Sequence, residues 1–250
     1  MKEKNYNLEL IRMISFIFVI VIHVSNYYCR AYGDITIGEY SFSLLLNLLA
    51  RISVPCFFMI TGALLLGRQE SLHKHAKRIF RFLIVLLVWS VIYMIWNAVY
   101  MEDPYQIKDL LYKPVEQHLW YLYAMIPIYL VLPFFQVMCK GMNLRMERAF
   151  LVVITAAVLF NYISTFFDEK MYYSVPMVGD RIYSYYVFIG YYIYKYRKHV
   201  MKGKMIPAGI FVVCMALNYG LTYAATLQDG EHYELSLIHI SEPTRHAQIS

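Results

Sequence analysis

The chain is poor in charge and in cysteine. Only 16% of its 250 residues are Asp, Glu, Lys or Arg, and 60% come from the apolar set AVILMFWYC, which excludes a disordered chain and a soluble globule. Four cysteines, Cys29, Cys56, Cys139 and Cys214, stand far apart, with no Cys-x-x-Cys pair and no histidine at zinc-ligand spacing. A disulfide framework and a metal ribbon are therefore excluded, and no metal is expected. There is no internal repeat of the kind transporters use. What the chain has instead is apolar length. With 25 tyrosines and 15 phenylalanines and a mean hydropathy of +0.45, it reads as an integral membrane protein whose first partner is the lipid bilayer.

A net charge of +6 would suggest nucleic acid in a soluble protein. Here the charges follow the loops, and no nucleic acid is expected. Apolar stretches predict seven helical spans at about 10–29, 42–66, 82–100, 119–138, 149–167, 182–196 and 206–226. The fold class is all-α, a polytopic transmembrane helical bundle. Segments on the side of the N-terminus hold 15 of the 23 basic residues, from Lys2 and Lys4 through Arg68–Arg81 and Lys140–Arg148 to Lys195–Lys204. Opposite loops carry acids such as Asp34, Asp103, Asp168 and Asp229. The positive-inside rule then places the N-terminus in the cytoplasm. Residues after the first apolar run, Ser25-Asn26-Tyr27-Tyr28, offer no signal-peptidase site, so that run is expected to stay as a span. In the second run Arg51 predicts a break: residues 42–50 at the outer interface, a span from Ile52 to Leu66, and Pro55 near its start, where proline is tolerated.

The end of the chain has a different character. The eleven residues Leu235 to Arg245 resemble the conceptual translation of a transposase-end adapter used in sequencing libraries. Residues 1–234 are then one transmembrane domain and 235–250 a non-native tail, with the natural protein expected to continue differently. The alternative is an ordinary polar tail. Neither supports a site built from His239, Ser241 or His246.

Ionisable groups inside a span are costly and so mark function by default. In the first span Arg12 and His23 are eleven residues apart, about three turns plus 20°, which puts them on one face ~16 Å apart along the axis. Glu9 is placed to pair with Arg12 one turn away. A cation near an aqueous boundary and an imidazole at depth suit an anionic cofactor presented to a base. Snorkelling explains Arg12 alone, and an interhelical hydrogen bond explains His23 alone.

A second constellation, His73-Lys-His-Ala-Lys-Arg-Ile-Phe-Arg81, enters the third span. Arg78 and Arg81 are one turn apart, and two guanidinium forks at that spacing can hold adjacent phosphates, with Lys74 and Lys77 adding positive potential. Contact with anionic lipid is the other account. A third cluster, His118-Leu-Trp120-Tyr-Leu, lies at the outer end of the fourth span, where an aromatic belt is the other account. The sixth span is dense in tyrosine, with Tyr185 and Tyr186 suited to a cavity wall.

Taken in order, Glu9-Leu-Ile-Arg12 with His23, Ser53-Val-Pro-Cys-Phe57-Phe58-Met-Ile-Thr61-Gly62, Arg78-x-x-Arg81, His118-Leu-Trp120 and Phe188-Ile-Gly190-Tyr resemble the acyltransferase-3 family. Its members are integral membrane proteins that move acyl groups, often acetyl, from cytoplasmic acyl-CoA to extracytoplasmic sugars. The resemblance implies that Arg12 and His23 are required for catalysis and that Arg78 and Arg81, aided by Lys77, hold CoA. His23 is then a general base or a transient acyl carrier. His118, Trp120 and Tyr185 are the candidate acceptor side, and acetyl-CoA the expected co-substrate. Glu9 stands where the family commonly has Asp and Thr61 where it often has Ser; a family member has about ten spans, of which seven are predicted here. A transporter or flippase, or a non-enzymatic multi-span protein, is the alternative class.

Overall fold

The computed structural model describes residues 6–68, 70–101, 105–166, 182–200 and 205–232. The expected tail at 235–250 and the outer acids Asp103 and Asp168 lie outside these residues. Nine α-helices are described: α1 (Tyr6–Arg30), α2 (Ile37–Ala50), α3 (Ser53–Leu65), α4 (Leu72–Trp96), α5 (Trp120–Gly141), α6 (Leu144–Phe166), α7 (Tyr183–Lys195), α8 (Arg197–Val200) and α9 (Met205–Asp229). Among the described residues there is no strand, only an isolated bridge between Tyr32 and Ile35.

Five helical runs among these residues are long and apolar enough to cross a membrane: Tyr6–Arg30, Ile37–Leu65, Leu72–Met101, Trp120–Gly141 and Met205–Asp229. They expose apolar side chains freely, such as Ile17 and Ile20 on α1, Val85 and Val88 on α4 and Val213 and Leu217 on α9, as a lipid solvent requires. The chain is a multi-pass membrane protein.

Three predicted spans differ in detail. The second run is one crossing from Ile37 to Leu65, made of α2 and α3 joined at Arg51 and Ile52. The 13 residues of α3 reach only ~20 Å, too short for a ~30 Å hydrocarbon core. Residues 42–50 therefore belong to the crossing, and α2 buries Leu44, Asn47 and Leu48. The sixth predicted span is α7, again 13 residues and equally too short to cross by itself. The fifth falls on α6, whose last turns lead into residues outside the description.

The chain forms two compact units, one from residues 1–65 with 150–240 and one centred on 66–149. In the first, α3 packs against α7 with backbones nearly touching. A Cβ on Gly62 would overlap the Val187 carbonyl, and one on Gly190 would overlap the Met59 backbone, so only glycine permits this approach. Phe58, with no exposed surface, stacks on Tyr183 at 4.8 Å. Helix α2 starts at a reciprocal cap, the Thr36 hydroxyl accepting from the Glu39 N–H at 3.3 Å while Glu39 Oε2 accepts from the Thr36 N–H at 2.9 Å. Polar links then tie it to its neighbours. Asn47 Nδ2 donates to Ser25 Oγ of α1 at 3.2 Å and Arg51 Nε donates to Asn47 Oδ1 at 2.9 Å. The buried Tyr40 hydroxyl meets Thr226 Oγ1 of α9 at 2.8 Å and His232 Nδ1 at 2.9 Å.

The second unit is the α4–α5 pair with the segment between. His75 meets Gln136, Phe82 meets Tyr129 and Tyr93 meets His118. Steps of 7 and then 11 residues along α4 match equal steps backward along the partner, so the pair is antiparallel and in register for ~27 Å. Towards the His118 end it buries Leu86, Val115 and Leu119.

Candidate active site

On α1 the packed stripe runs through Ser15, Ser25 and Cys29. Arg12 and His23 lie ~100° and ~120° from its centre, on one edge. They share a face, as the spacing predicts. Arg12 Nη1 donates to both carboxylate oxygens of Glu9, at 2.9 and 2.8 Å. With side chains 42% and 51% exposed this pair orients Arg12 more than it stabilises the helix. His23 keeps an exposed ring on the same edge, three turns on. Tyr185 belongs to the same unit, half-buried on α7, its hydroxyl 3.5 Å from Thr155 Oγ1 of α6.

The other predicted residues are in the second unit, at opposite ends of the α4–α5 pair. At the end where α4 begins, Arg78 Nη2 donates to Glu70 Oε2 at 2.8 Å and the guanidinium lies 5.8 Å from the Tyr129 ring centre. Arg81 and Lys77 are exposed. The two arginines are thus not equivalent, because the packed stripe of α4 through His75, Phe82 and Leu86 lies ~60° from Arg78 but ~120° from Arg81. Burial pushes the Glu70 carboxyl up, but the Arg78 hydrogen bond and charge, with His75 and Arg68 adding, outweigh it and hold it below the ordinary carboxylate value. At the other end, His118 sits in the short 3₁₀ turn Gln117–Leu119, its ring edge-on to Tyr93 at 4.9 Å, and Trp120 is the first residue of α5. The same end is closed by Asn97 Nδ2 donating to Glu116 Oε1 at 3.1 Å. Among the described residues no group of three His, Cys, Asp or Glu side chains is arranged to hold a metal.

A model of the acyltransferase domain shared by the acyltransferase-3 family matches residues 5–240. The chain belongs to the acyltransferase-3 family. No curated protein and no solved structure matches it. The acyltransferase's motif glycines acquire a physical meaning in the α3–α7 contact: Gly62 and Gly190, which carry part of the resemblance, are where the two backbones close on each other.

Four residues to which the sequence assigned no role, Glu70, His75, Gln136 and Tyr129, complete the arginine end. Glu70 pairs with Arg78 across the turn into α4, His75 bonds Gln136 Oε1 at 3.3 Å, and Tyr129 lies under the guanidinium. A helical i, i+3 relation between His75 and Arg78 was available as a signal. The α5 partners were not, because they depend on the antiparallel register.

Proposed function

We propose that this acyltransferase moves an acyl group, acetyl in the simplest case, from cytoplasmic acyl-CoA to a hydroxyl of an extracytoplasmic glycan, in a cell membrane with its N-terminus cytoplasmic. The observation that carries the proposal is the paired Arg12 and the exposed imidazole of His23 on one edge of an apolar helix, within a chain of this family. An ionisable side chain is costly within a span, and an imidazole is the side chain suited to moving a proton or a group near neutral pH.

In this scheme Arg81 and Lys77, with Arg78 behind them, bind the phosphates of CoA by charge-assisted hydrogen bonds. His23 takes the proton of the acceptor hydroxyl. The freed oxygen attacks the thioester carbon, the C–S bond breaks, and the CoA thiolate leaves to be reprotonated. If His23 is instead the carrier, its ring nitrogen bonds to the acyl carbon as the C–S bond breaks and the CoA thiolate leaves; the acceptor oxygen then bonds to the acyl carbon, the N–C bond breaks, and the acceptor's proton passes to the thiolate. Trp120 and His118, at the opposite end of the α4–α5 pair from Arg78, are candidate acceptor residues, and Tyr185 of the first unit is another, since aromatic faces suit a sugar ring.

His23→Gln tests the scheme, because glutamine keeps a hydrogen bond but transfers no proton. Turnover with acetyl-CoA should fall at least ~10²-fold with the protein still folded. Near-native turnover would remove His23 from the chemistry. Mass spectrometry of cell-surface glycans with and without the gene names the acceptor, and an acyl-enzyme trapped on His23 separates carrier from base.

A further inference from the structure

At the start of α4 two neighbouring side chains each keep one buried nitrogen without a hydrogen-bond partner. His75 is only 3% exposed; its Nε2 meets Gln136 Oε1, while Nδ1 is buried with no hydrogen-bond partner. Arg78, three residues on, gives Nη2 to Glu70, while Nη1 is likewise buried and unpartnered. Leaving a polar group buried and unsatisfied costs about 1–3 kcal/mol, more if it is charged. Residues at i and i+3 are neighbours on the helix surface. Two such groups side by side are therefore a paired, unspent capacity for one acceptor.

The second partner of each group is what aims it. Gln136 holds the far nitrogen of the imidazole, and Glu70 with Tyr129 holds the far edge of the guanidinium. With a proton on Nδ1, Nδ1–H and Arg78 Nη1–H are two donors for a single anionic oxygen, and the guanidinium charge favours phosphate over neutral ligands.

We infer that His75, together with Arg78 Nη1, binds a phosphate oxygen of the acyl donor, with Gln136 and Glu70 as the positioning residues behind them. The inference presupposes that this loop holds acyl-CoA, as proposed above. It adds a recognition residue that lies outside the arginine pair. The phosphate is either the 3′-phosphate or the diphosphate of CoA, chemically alike at the contacting oxygen.

Two isosteric replacements test it on the full chain purified in detergent. The amide of asparagine stands where Nδ1 stands, and that of glutamine where Nε2 stands. His75→Gln keeps the bond to Gln136 and loses the inferred one; His75→Asn does the reverse. Calorimetric binding of CoA should weaken at least ~10-fold in His75→Gln and stay within ~3-fold of the parent in His75→Asn. Repeating the measurement with dephospho-CoA identifies the contact: an unchanged affinity in His75→Gln assigns the 3′-phosphate, and an equal loss assigns the diphosphate. Parental CoA affinity in His75→Gln, with Arg81→Gln still weakening it, overturns this inference and leaves the donor site standing. Loss in His75→Asn alone, or misfolding of both variants by thermal unfolding, assigns His75 to the fold and overturns it as well. No CoA binding by the parent chain overturns both.

Discussion

The α3–α7 contact and the α4–α5 contact solve helix packing in opposite ways. In the first, glycines bring backbones together and the interface is a fit of shape, Gly62 on Val187 and Gly190 on Met59. In the second, side chains keep the helices apart, with Phe82 on Tyr129 at 4.8 Å and polar groups at both ends. Lipid tails are as apolar as leucine, so a membrane helix pair gains from close packing or from hydrogen bonds rather than from leaving water. A shape interface tolerates no added atom. A side-chain interface can hold charged groups at its ends, and that is where Arg78 and His118 are found.

The largest effect should come from breaking the first contact. Gly62→Ala or Gly190→Ala places a methyl inside a neighbouring backbone, so each should cost about 3–5 kcal/mol or prevent folding; size-exclusion recovery and thermal unfolding in detergent would show it. A parental melting temperature in either variant would mean that α3 and α7 are not this close. Tyr40→Phe is next, since the hydroxyl joining Thr226 and His232 is lost while Thr226 Oγ1 keeps its own bond to the Thr222 carbonyl at 2.8 Å. About 1–2 kcal/mol is expected, read from the same melt.

In the side-chain contact, Glu70→Gln removes the ion pair to Arg78, whose members are 14% and 25% exposed, and should cost about 1 kcal/mol at pH 7. The sign with pH follows from the lowered carboxyl. Its contribution is complete above the ordinary value of 4.5 and fades as pH falls through the lower folded value. Melting curves of parent and variant should therefore differ at pH 7 and converge in acid below that range; a gap that widens in acid would contradict the pair. The smallest effect is the control for the first. Gly220→Ala on α9, where a Cβ meets nothing within 4 Å, should cost no stability and raise it by at most about 1 kcal/mol through helix propensity.

Much of the candidate site was legible because it lies on single helices. Glu9, Arg12 and His23 share an edge of α1 by spacing alone, and helical geometry carries that relation without help from any neighbour. The arginine end was legible only in part. Spacing placed Arg78 and Arg81 together, but which of them turns inward depended on the α4 stripe that meets α5. The break at Arg51 was visible, yet the consequence drawn from it was too strong: α2 continues the crossing instead of lying at the interface, since Asn47 and Arg51 find hydrogen-bond partners in the packed unit and need not reach water.

Apolar run length and intramembrane charge determined by themselves that this is an all-helical membrane protein and that Glu9, Arg12 and His23 share one face of its first helix, because helix length and face are local properties of the chain. Only the tertiary structure decided which glycines are obligatory, that α3 and α7 are too short to cross alone, and that Glu70, His75 and Gln136 complete the arginine end. Those facts depend on which backbone approaches which, and residues 61 positions apart, such as His75 and Gln136, meet only when an antiparallel register has been set.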